Sequence, residues 1–438
     1  MVQRVLSIEQ SPPLRTVLRF FLGTPLFALL AALLLAWHGE QALQSRWAPA
    51  TLALTHLWTL GALGMSMAGA LIQILPVVAG VELPRGRLMA PLLHALLGAG
   101  TLALAGAFLI SEPWLFRVAL ALLLPALLWL CGAVSVALWQ PQASGAAPML
   151  GTVRLALAAL VITLALAAML GAARSGAPFP AWSARVTDLH ALWGLLGWGA
   201  LLMAGVAFQV VPMFQVTQPY PAFVHRHLGV AAFLLLLASS ISSASLQPWA
   251  PAALLPALLL ALLIALLLVY AGFAGVTWRL LARRKRPEPD AMTLFWRLSM
   301  ASLAACLILF LVPDRLAGSG RTLALGALVI VGFLYSAING MLYKIVPFLV
   351  WHHLQLQAAP GQRAPGVKLI LPDPAARAQF KLQAAALMLL LGACWFPATL
   401  ARPAGLALAA SALWLGWNLA GALRIKSAPV GSRAARPA

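Results

Sequence analysis

The fold of this chain is decided by a motif that first occurs at residues 61–76, GALGMSMAGALIQILP. Two glycines, Gly61 and Gly69, are followed by the long polar residue Gln73 and then by Pro76. At about 100° per helical residue, all four fall on one face, within an arc of about 120°. Glycines on a helix face allow close helix packing in a membrane, and the proline ends or kinks the helix. The motif therefore predicts a tightly packed helix that holds a polar group inside the protein.

The motif recurs twice, with its polar positions 136 and 135 residues further along. The copies are Gly197, Gly205, Gln209 and Pro212, followed by Gly332, Gly340, Lys344 and Pro347. Self-similarity at a fixed period indicates an internal repeat. We predict a single membrane domain, residues 1–438, with three repeats of four helices at approximately 1–145, 146–286 and 287–438.

The composition excludes an ordinary soluble protein. Of 438 residues, 63% are hydrophobic and 9% are charged, whereas soluble domains carry about 25% charged residues. Apolar runs long enough to cross a bilayer recur along the chain, which predicts an all-α, polytopic membrane protein with twelve transmembrane helices. The predicted spans are 17–37, 51–78, 88–110, 115–139, 150–172, 186–213, 227–246, 251–280, 291–312, 321–350, 379–399 and 403–424.

The net charge of +20 is explained by membrane topology and not by nucleic acid, because the basic residues lie in short loops. With the N-terminus in the cytoplasm, 21 of the 29 Lys and Arg fall on the cytoplasmic side and seven on the other. This bias predicts a bacterial-type inner (plasma) membrane protein with both termini cytoplasmic and no nucleic-acid partner. The basic cluster Arg279–Arg286 is expected to attract anionic membrane lipid.

Twelve helices in three groups of four resemble subunit I of the haem-copper oxidase superfamily, which includes cytochrome oxidases and nitric oxide reductases. The likeness is best in the second span, where His56 precedes the glycine-rich middle and Pro76, as in the family's low-spin haem helix. The chain also resembles the denitrification-associated haem- and copper-containing membrane proteins. The resemblance implies haem b, copper or both, a redox partner, and electron transfer or the handling of gases or metals.

The chain departs from that family at two places. The family takes two haem-ligating histidines from its tenth helix, whereas the span from Arg321 to Val350 contains none. It takes two copper-ligating histidines from the region between the seventh and eighth helices, whereas residues 245–249 contain none. We therefore expect a divergent member without a complete oxygen-reducing centre, and the question of enzymatic activity stays open.

His56 and His190 lie at similar depth near the outer ends of the second and sixth spans. Neutral imidazole ligates metals and haem iron, so the two side chains could hold one bis-His haem or part of a copper site. The alternative is a helix–helix hydrogen bond, because His56 projects about 140° from the first glycine of its motif. Asp188, two residues before His190, is expected to orient that histidine or to cap the helix.

A second group of histidines lies at the inner side of the bundle, at the start of the seventh span and the end of the tenth. Its members are His225, His227, His352 and His353. Together they predict a cytoplasmic metal site, and the alternative is four solvated histidines at the membrane interface.

Lys344 is the one basic residue that the charge count assigns to neither side, because it lies inside a span, and it occupies the motif position of Gln73 and Gln209. Near a threefold axis, these three side chains would form a polar cluster; alternatively, Lys344 extends to the inner interface. The cluster supports a second functional hypothesis, a transporter or channel without a cofactor. A membrane assembly or scaffold protein is the third.

Overall fold

The computed structural model describes residues 8–141, 147–177, 183–245, 254–286, 288–358 and 364–426. Every regular element within these residues is helical. The long helices are α1 (Leu14–Leu43), α2 (Pro49–Ala79), α3 (Leu88–Ile110), α4 (Pro113–Trp139), α5 (Ala147–Arg174), α6 (Ser183–Gln215), α7 (Ala222–Ser243), α8 (Leu255–Ala282), α9 (Ala291–Leu311), α10 (Arg321–Gln357), α11 (Asp373–Ala393) and α12 (Pro397–Ile425). All except α11 are long and apolar enough to cross a membrane. The chain is therefore an all-helical, multi-pass membrane protein with eleven or twelve spans.

Helix α11 has 21 residues, which is long enough to cross the bilayer core at about 1.5 Å per residue. It is less apolar than the others because Arg377 and Lys381 lie in its first half. The predicted span 379–399 begins too late and runs past the helix end. The boundary lies at residues 394–396, since Pro397 occupies the first turn of α12, a position that suits proline.

The prolines of the motif do not end their helices. Pro212 lies inside α6 and Pro347 inside α10, and α10 continues to Gln357 instead of ending near residue 350. A membrane helix tolerates an internal proline where neighbouring groups satisfy the freed backbone carbonyl. As a result, His352 and His353 belong to the last turns of α10.

Three helices form the centre of the bundle. The buried share of the apolar stretch is 78% in α2, 78% in α6 and 83% in α10, against 28–56% in the other spans. The rings of Trp58 in α2 and Tyr335 in α10 have centres 4.8 Å apart. A Cβ built on Gly199 of α6 would lie 3.0 Å from Leu334 of α10. The three inner helices therefore pack directly on one another.

The motif glycines of α2 pack against the helix that precedes it. A Cβ on Gly61 would lie 2.5 Å from the ring of Phe27, and one on Gly69 would lie 2.7 Å from Cβ of Phe20. Real Cβ atoms do not approach this closely, so α1 and α2 can meet here only because both positions are glycine.

The same packing occurs between α5 and α6 and between α9 and α10. A Cβ added to each motif glycine would lie 2.6–3.2 Å from a side chain of the preceding helix. In each preceding helix, the two contacted residues are seven positions apart. The pairs are Gly197 with Ala159, Gly205 with Thr152, Gly332 with Ser302 and Gly340 with Phe295. All six motif glycines thus serve one purpose, the close contact of an inner helix with the helix before it.

Each inner helix also contains a π-helical segment, which includes the first glycine of the motif. The segments are Leu57–Leu63 in α2, Trp193–Gly199 in α6 and Leu328–Tyr335 in α10. A π turn disturbs the regular pairing of backbone carbonyls, and side chains of outer helices bond to some of them. The Tyr270 hydroxyl of α8 donates to the carbonyl of Leu196, and the Ser299 hydroxyl of α9 donates to that of Phe333 at 2.8 Å.

We predict that Gly69→Ala and Gly272→Ala change stability in opposite directions. Alanine at Gly69 collides with Phe20 and should cost about 1–3 kcal/mol, as overpacking does. Gly272 of α8 has no atom within 4 Å of its added Cβ, so alanine there should stabilise the helix by roughly 0.5–1 kcal/mol. The melting temperature in detergent measures both effects. Equal melting temperatures for the two variants would contradict the close α1–α2 contact.

Candidate functional site

His56 of α2 and His190 of α6 face each other on the side of the bundle away from the described chain ends. Their ring centres are 6.3 Å apart and their planes differ by 19°. His56 Nδ1 lies 2.8 Å from the carbonyl of Leu52, and His190 Nδ1 lies 3.2 Å from that of Thr163 in α5. Because a carbonyl only accepts, each Nδ1 carries the proton and donates. In the neutral rings, both Nε2 atoms then have a lone pair for a metal.

The separation of the rings suits a shared metal. Two imidazoles that bind one metal through Nε2 at about 2.0–2.1 Å, on opposite sides, have ring centres roughly 6 Å apart. The carbonyls of Leu52 and Thr163 fix the tautomer and orientation of the rings, as the outer partners of metal-bound histidines do. The arrangement can therefore hold iron or copper.

Aromatic residues and a small cavity lie beside His56. Phe108 of α3 stacks on the His56 ring with centres 5.2 Å apart. The cavity has a volume of about 100 Å³ and is lined by Trp47, Pro49, Leu52, Phe108, Ser111, Phe116 and Arg174. Sites for organic cofactors are typically about 300–1,000 Å³. This cavity is too small for a haem, and neither His56 nor His190 lines it.

Asp188 does not take either role that the sequence predicted for it. Its carboxylate lies 2.5 Å from the guanidinium of Arg46, in the loop after α1, and both side chains are about half exposed. It is also well inside α6, which begins at Ser183, so it does not cap that helix. The ion pair joins the α1–α2 loop to α6 beside the histidine pair.

Gln73 and Lys344 bond to separate partners. The Gln73 amide donates to the hydroxyl of Ser11, just before α1, at 2.7 Å, and its buried Oε1 has no hydrogen-bond partner. Lys344 Nζ forms an ion pair with Asp290, just before α9, at 2.7 Å. Gln209 is buried in α6. In two of the three copies of the motif, the side chain at the polar position thus bonds to a residue just before the preceding helix.

The sequence reasoning missed Asp290 as the partner of Lys344. Asp290 caps α9 by accepting from the backbone N–H of Thr293 at 2.9 Å, and Gln215 donates to it at 3.2 Å. Burial would raise the pKa of Asp290, but the hydrogen bonds from Lys344 and Thr293 and the charge of Lys344 lower it to about 2. The sequence signal for this ion pair was the position of Asp290 just before α9, on the same side of the bundle as Lys344.

A second buried polar network, also missed, links α10, α11 and α12. Its members are Tyr343, Gln379, Gln383, Ser411 and Asn418. The Tyr343 hydroxyl donates to Gln379 Oε1 at 3.2 Å and accepts from the Asn418 amide at 2.9 Å. Gln379 also donates to the Ser411 hydroxyl at 2.8 Å. The signal in the sequence was two glutamines one helical turn apart in α11.

The inner histidines are not gathered into a metal site. Among the described residues, no group of three or more His, Cys, Asp or Glu side chains is placed to hold a metal ion. His227 is exposed, and its Nδ1 donates to the carbonyl of Phe223 in its own helix at 2.9 Å. His225 packs near the ring of Phe208, with centres 6.3 Å apart. His227 therefore fits the alternative of a solvated histidine at the membrane interface, whereas Nε2 of His353, in the last turns of α10, is buried.

Comparison with known proteins assigns no family. No protein-family model matches the chain, and no curated protein matches it.

We predict that Asp290→Asn destabilises the protein by about 2 kcal/mol, because the asparagine keeps the helix cap but loses the ion pair. Asp188→Asn is the matched control and should cost at most about 1 kcal/mol, since its pair with Arg46 is exposed. Melting temperatures at pH 7 measure both. Equal losses of stability in the two variants would contradict a larger contribution from the ion pair of Asp290 with Lys344.

The contribution of Asp290 should also depend on pH. Its pKa is about 2 in the folded protein and about 3.9 in an unfolded chain. The stabilisation is therefore complete above about pH 4 and is lost as the pH falls towards 2, because the unfolded state binds the proton first. The difference in melting temperature between the wild type and Asp290→Asn should shrink across that window and stay constant from pH 5 to 7.

Proposed function

We propose that this chain is an integral membrane metalloprotein that binds copper, haem b or both at His56 and His190. One observation carries the proposal: two imidazoles from separate inner helices lie with ring centres 6.3 Å apart, and Nδ1 of each is bonded to a carbonyl. Such a group, when bound, supplies one-electron redox chemistry. The protein would serve electron transfer, or the handling of a gas or a metal.

The residues around the pair define what the chain itself contributes. His56 and His190 would bind the metal, and the carbonyls of Leu52 and Thr163 would hold their rings in the ligating orientation. Phe108 covers one face of His56 and excludes water from it.

We propose that the chain is a divergent relative of the haem-copper oxidase subunit I superfamily, built from three repeats of four helices. The support is the recurrence of one packing scheme: in α2, α6 and α10, a glycine motif and a π segment contact the preceding helix. Residues 321–350 of α10 lack the family's two haem-ligating histidines. Complete oxygen reduction is therefore not part of the proposed function.

The proposed location is a bacterial-type inner membrane with both termini in the cytoplasm. The support is the excess of Lys and Arg in the loops on the side of the termini. On that side, anionic lipid would bind the cluster Arg279–Arg286. A redox partner would exchange electrons with the metal group, and no nucleic-acid partner is proposed.

A transporter or channel without a cofactor is the second candidate. It is favoured by the buried polar groups on α10 that have no hydrogen-bond partner, Tyr335 and Asn339, together with the ion pair of Lys344. Buried polar and ionisable groups in membrane helices commonly mark a path for ions or substrates.

The proposal predicts that His56→Ala and His190→Ala each abolish metal binding by the purified protein. The wild type, expressed with ample haem and copper, should contain about one metal group per chain, because two ligands from different helices complete a single site. Metal analysis and a reduced-minus-oxidised spectrum measure the group and separate copper from haem.

His227→Ala is the matched control, since His227 is exposed and bonded within its own helix, and it should leave metal content unchanged. A wild type without metal or haem would overturn the metalloprotein proposal, and transport assays of Lys344→Met would follow. Equal loss of metal in all three variants would overturn the assignment of the ligands.

A further inference from the structure

Helix α10 carries polar atoms that the protein leaves unpaired at the centre of the bundle. The hydroxyl of Tyr335 and both polar atoms of the Asn339 amide have no hydrogen-bond partner. Both residues are 0% exposed. An unpaired buried polar group costs about 1–3 kcal/mol, and more where lipid surrounds the protein. Three such atoms on neighbouring turns of one helix indicate that a polar ligand binds there.

The chemistry of these atoms selects water as the ligand. The amide offers two donors and an acceptor, and the hydroxyl donates and accepts. Water matches both kinds of group, and buried water typically makes about three hydrogen bonds to buried polar groups that lack partners. Tyr335 is closed on one side by the ring of Trp58, which leaves an uncharged and aromatic setting that does not favour an ion.

The unpaired atoms continue into the network at Tyr343. Tyr335, Asn339 and Tyr343 are spaced four residues apart, so they lie on one face of α10, about 6 Å apart along the helix axis. Bound water, with hydrogen bonds of about 2.8–3.0 Å, can join polar side chains on successive turns of one helix face. Beyond Tyr343, the chain of hydrogen bonds continues to Gln379 and Asn418.

The path reaches the side of the bundle where the termini lie. Asn418, which donates to the Tyr343 hydroxyl, lies in the last turns of α12 and is partly exposed. Helix packing alone does not require these polar groups. The corresponding motif positions are Gly64 and Ala68 in α2, and Ala200 and Ala204 in α6.

We propose that bound water joins Tyr335 and Asn339 to the Tyr343 network and forms a hydrated path along α10. The path exchanges water, and with it protons, between the centre of the bundle and the side of the termini. It ends beside Trp58, two residues from His56 in α2. The path depends on polar groups of α10–α12 and not on any metal, so it goes beyond the proposed function.

Hydroxyl-radical labelling by X-ray radiolysis of the full-length protein in detergent tests the path, because it modifies side chains that contact bound water. Tyr270 is the matched control: it is also 0% exposed, but its hydroxyl is bonded to the carbonyl of Leu196. We expect Tyr335 to be modified about five times faster than Tyr270, since water contacts only the former. After rapid mixing with H₂¹⁸O, the modified Tyr335 should carry ¹⁸O within milliseconds.

Two variants test the water site beside Tyr335 and the exchange path through Tyr343 separately. Asn339→Leu removes the water partners and should reduce labelling of Tyr335 to the level of Tyr270. Gln379→Leu should leave Tyr335 labelled but slow its uptake of ¹⁸O. If Asn339→Leu fails to fold, Asn339→Ser, which keeps a hydroxyl for water, should retain the labelling.

Labelling of Tyr335 no faster than that of Tyr270 in the wild type would overturn the water site. Labelling without ¹⁸O after seconds of mixing would show enclosed water and overturn the path. Neither readout involves metal content, so the failure of this proposal is distinguishable from the failure of the metal site.

Discussion

The contact of each inner helix with the helix before it is the interaction on which the rest of this structure depends. Lipid gives helices no hydrophobic reason to associate, so they must approach closely enough to gain dispersion energy and backbone contacts. Glycine at six positions permits that approach, from Gly61 against Phe27 to Gly340 against Phe295. With α2, α6 and α10 held in this way, their remaining faces meet at the centre, where the π segments and the histidine pair lie.

Much of this packing could be predicted from the sequence, because glycine spacing and apolar runs are local signals. The motif identified α2, α6 and α10 as the special helices, and the apolar runs predicted twelve crossings, of which eleven helices are long and apolar enough among the described residues. The limits of α11 were harder to predict, since the inward-facing Gln379 and Gln383 make a buried helix resemble a loop. Their polarity is satisfied by α10 and α12, which no local pattern reveals.

The direction of His56 relative to the glycine face cannot be counted from the sequence alone, because a π segment follows this residue. Counting about 100° per residue placed this side chain far from the glycine face of α2. The count assumes α-helical turns, whereas residues 57–63, which follow His56 and include the first motif glycine, form a π segment. A π turn takes one more residue than an α turn, so side chains on either side are rotated relative to the prediction. Side-chain pairing across helices, such as that of Lys344 with Asp290, also requires the tertiary structure.

The ion pair between Arg46 and Asp188 ties the loop between α1 and α2 to α6, and its strength depends on the surrounding electrolyte. Both side chains are about half exposed, so dissolved ions screen their attraction, with a Debye length of about 10 Å at 0.1 M salt. The Lys344–Asp290 pair, at the other end of the bundle, is more enclosed and less subject to screening. High ionic strength therefore weakens the link between the α1–α2 loop and α6 more than it weakens the Lys344–Asp290 pair.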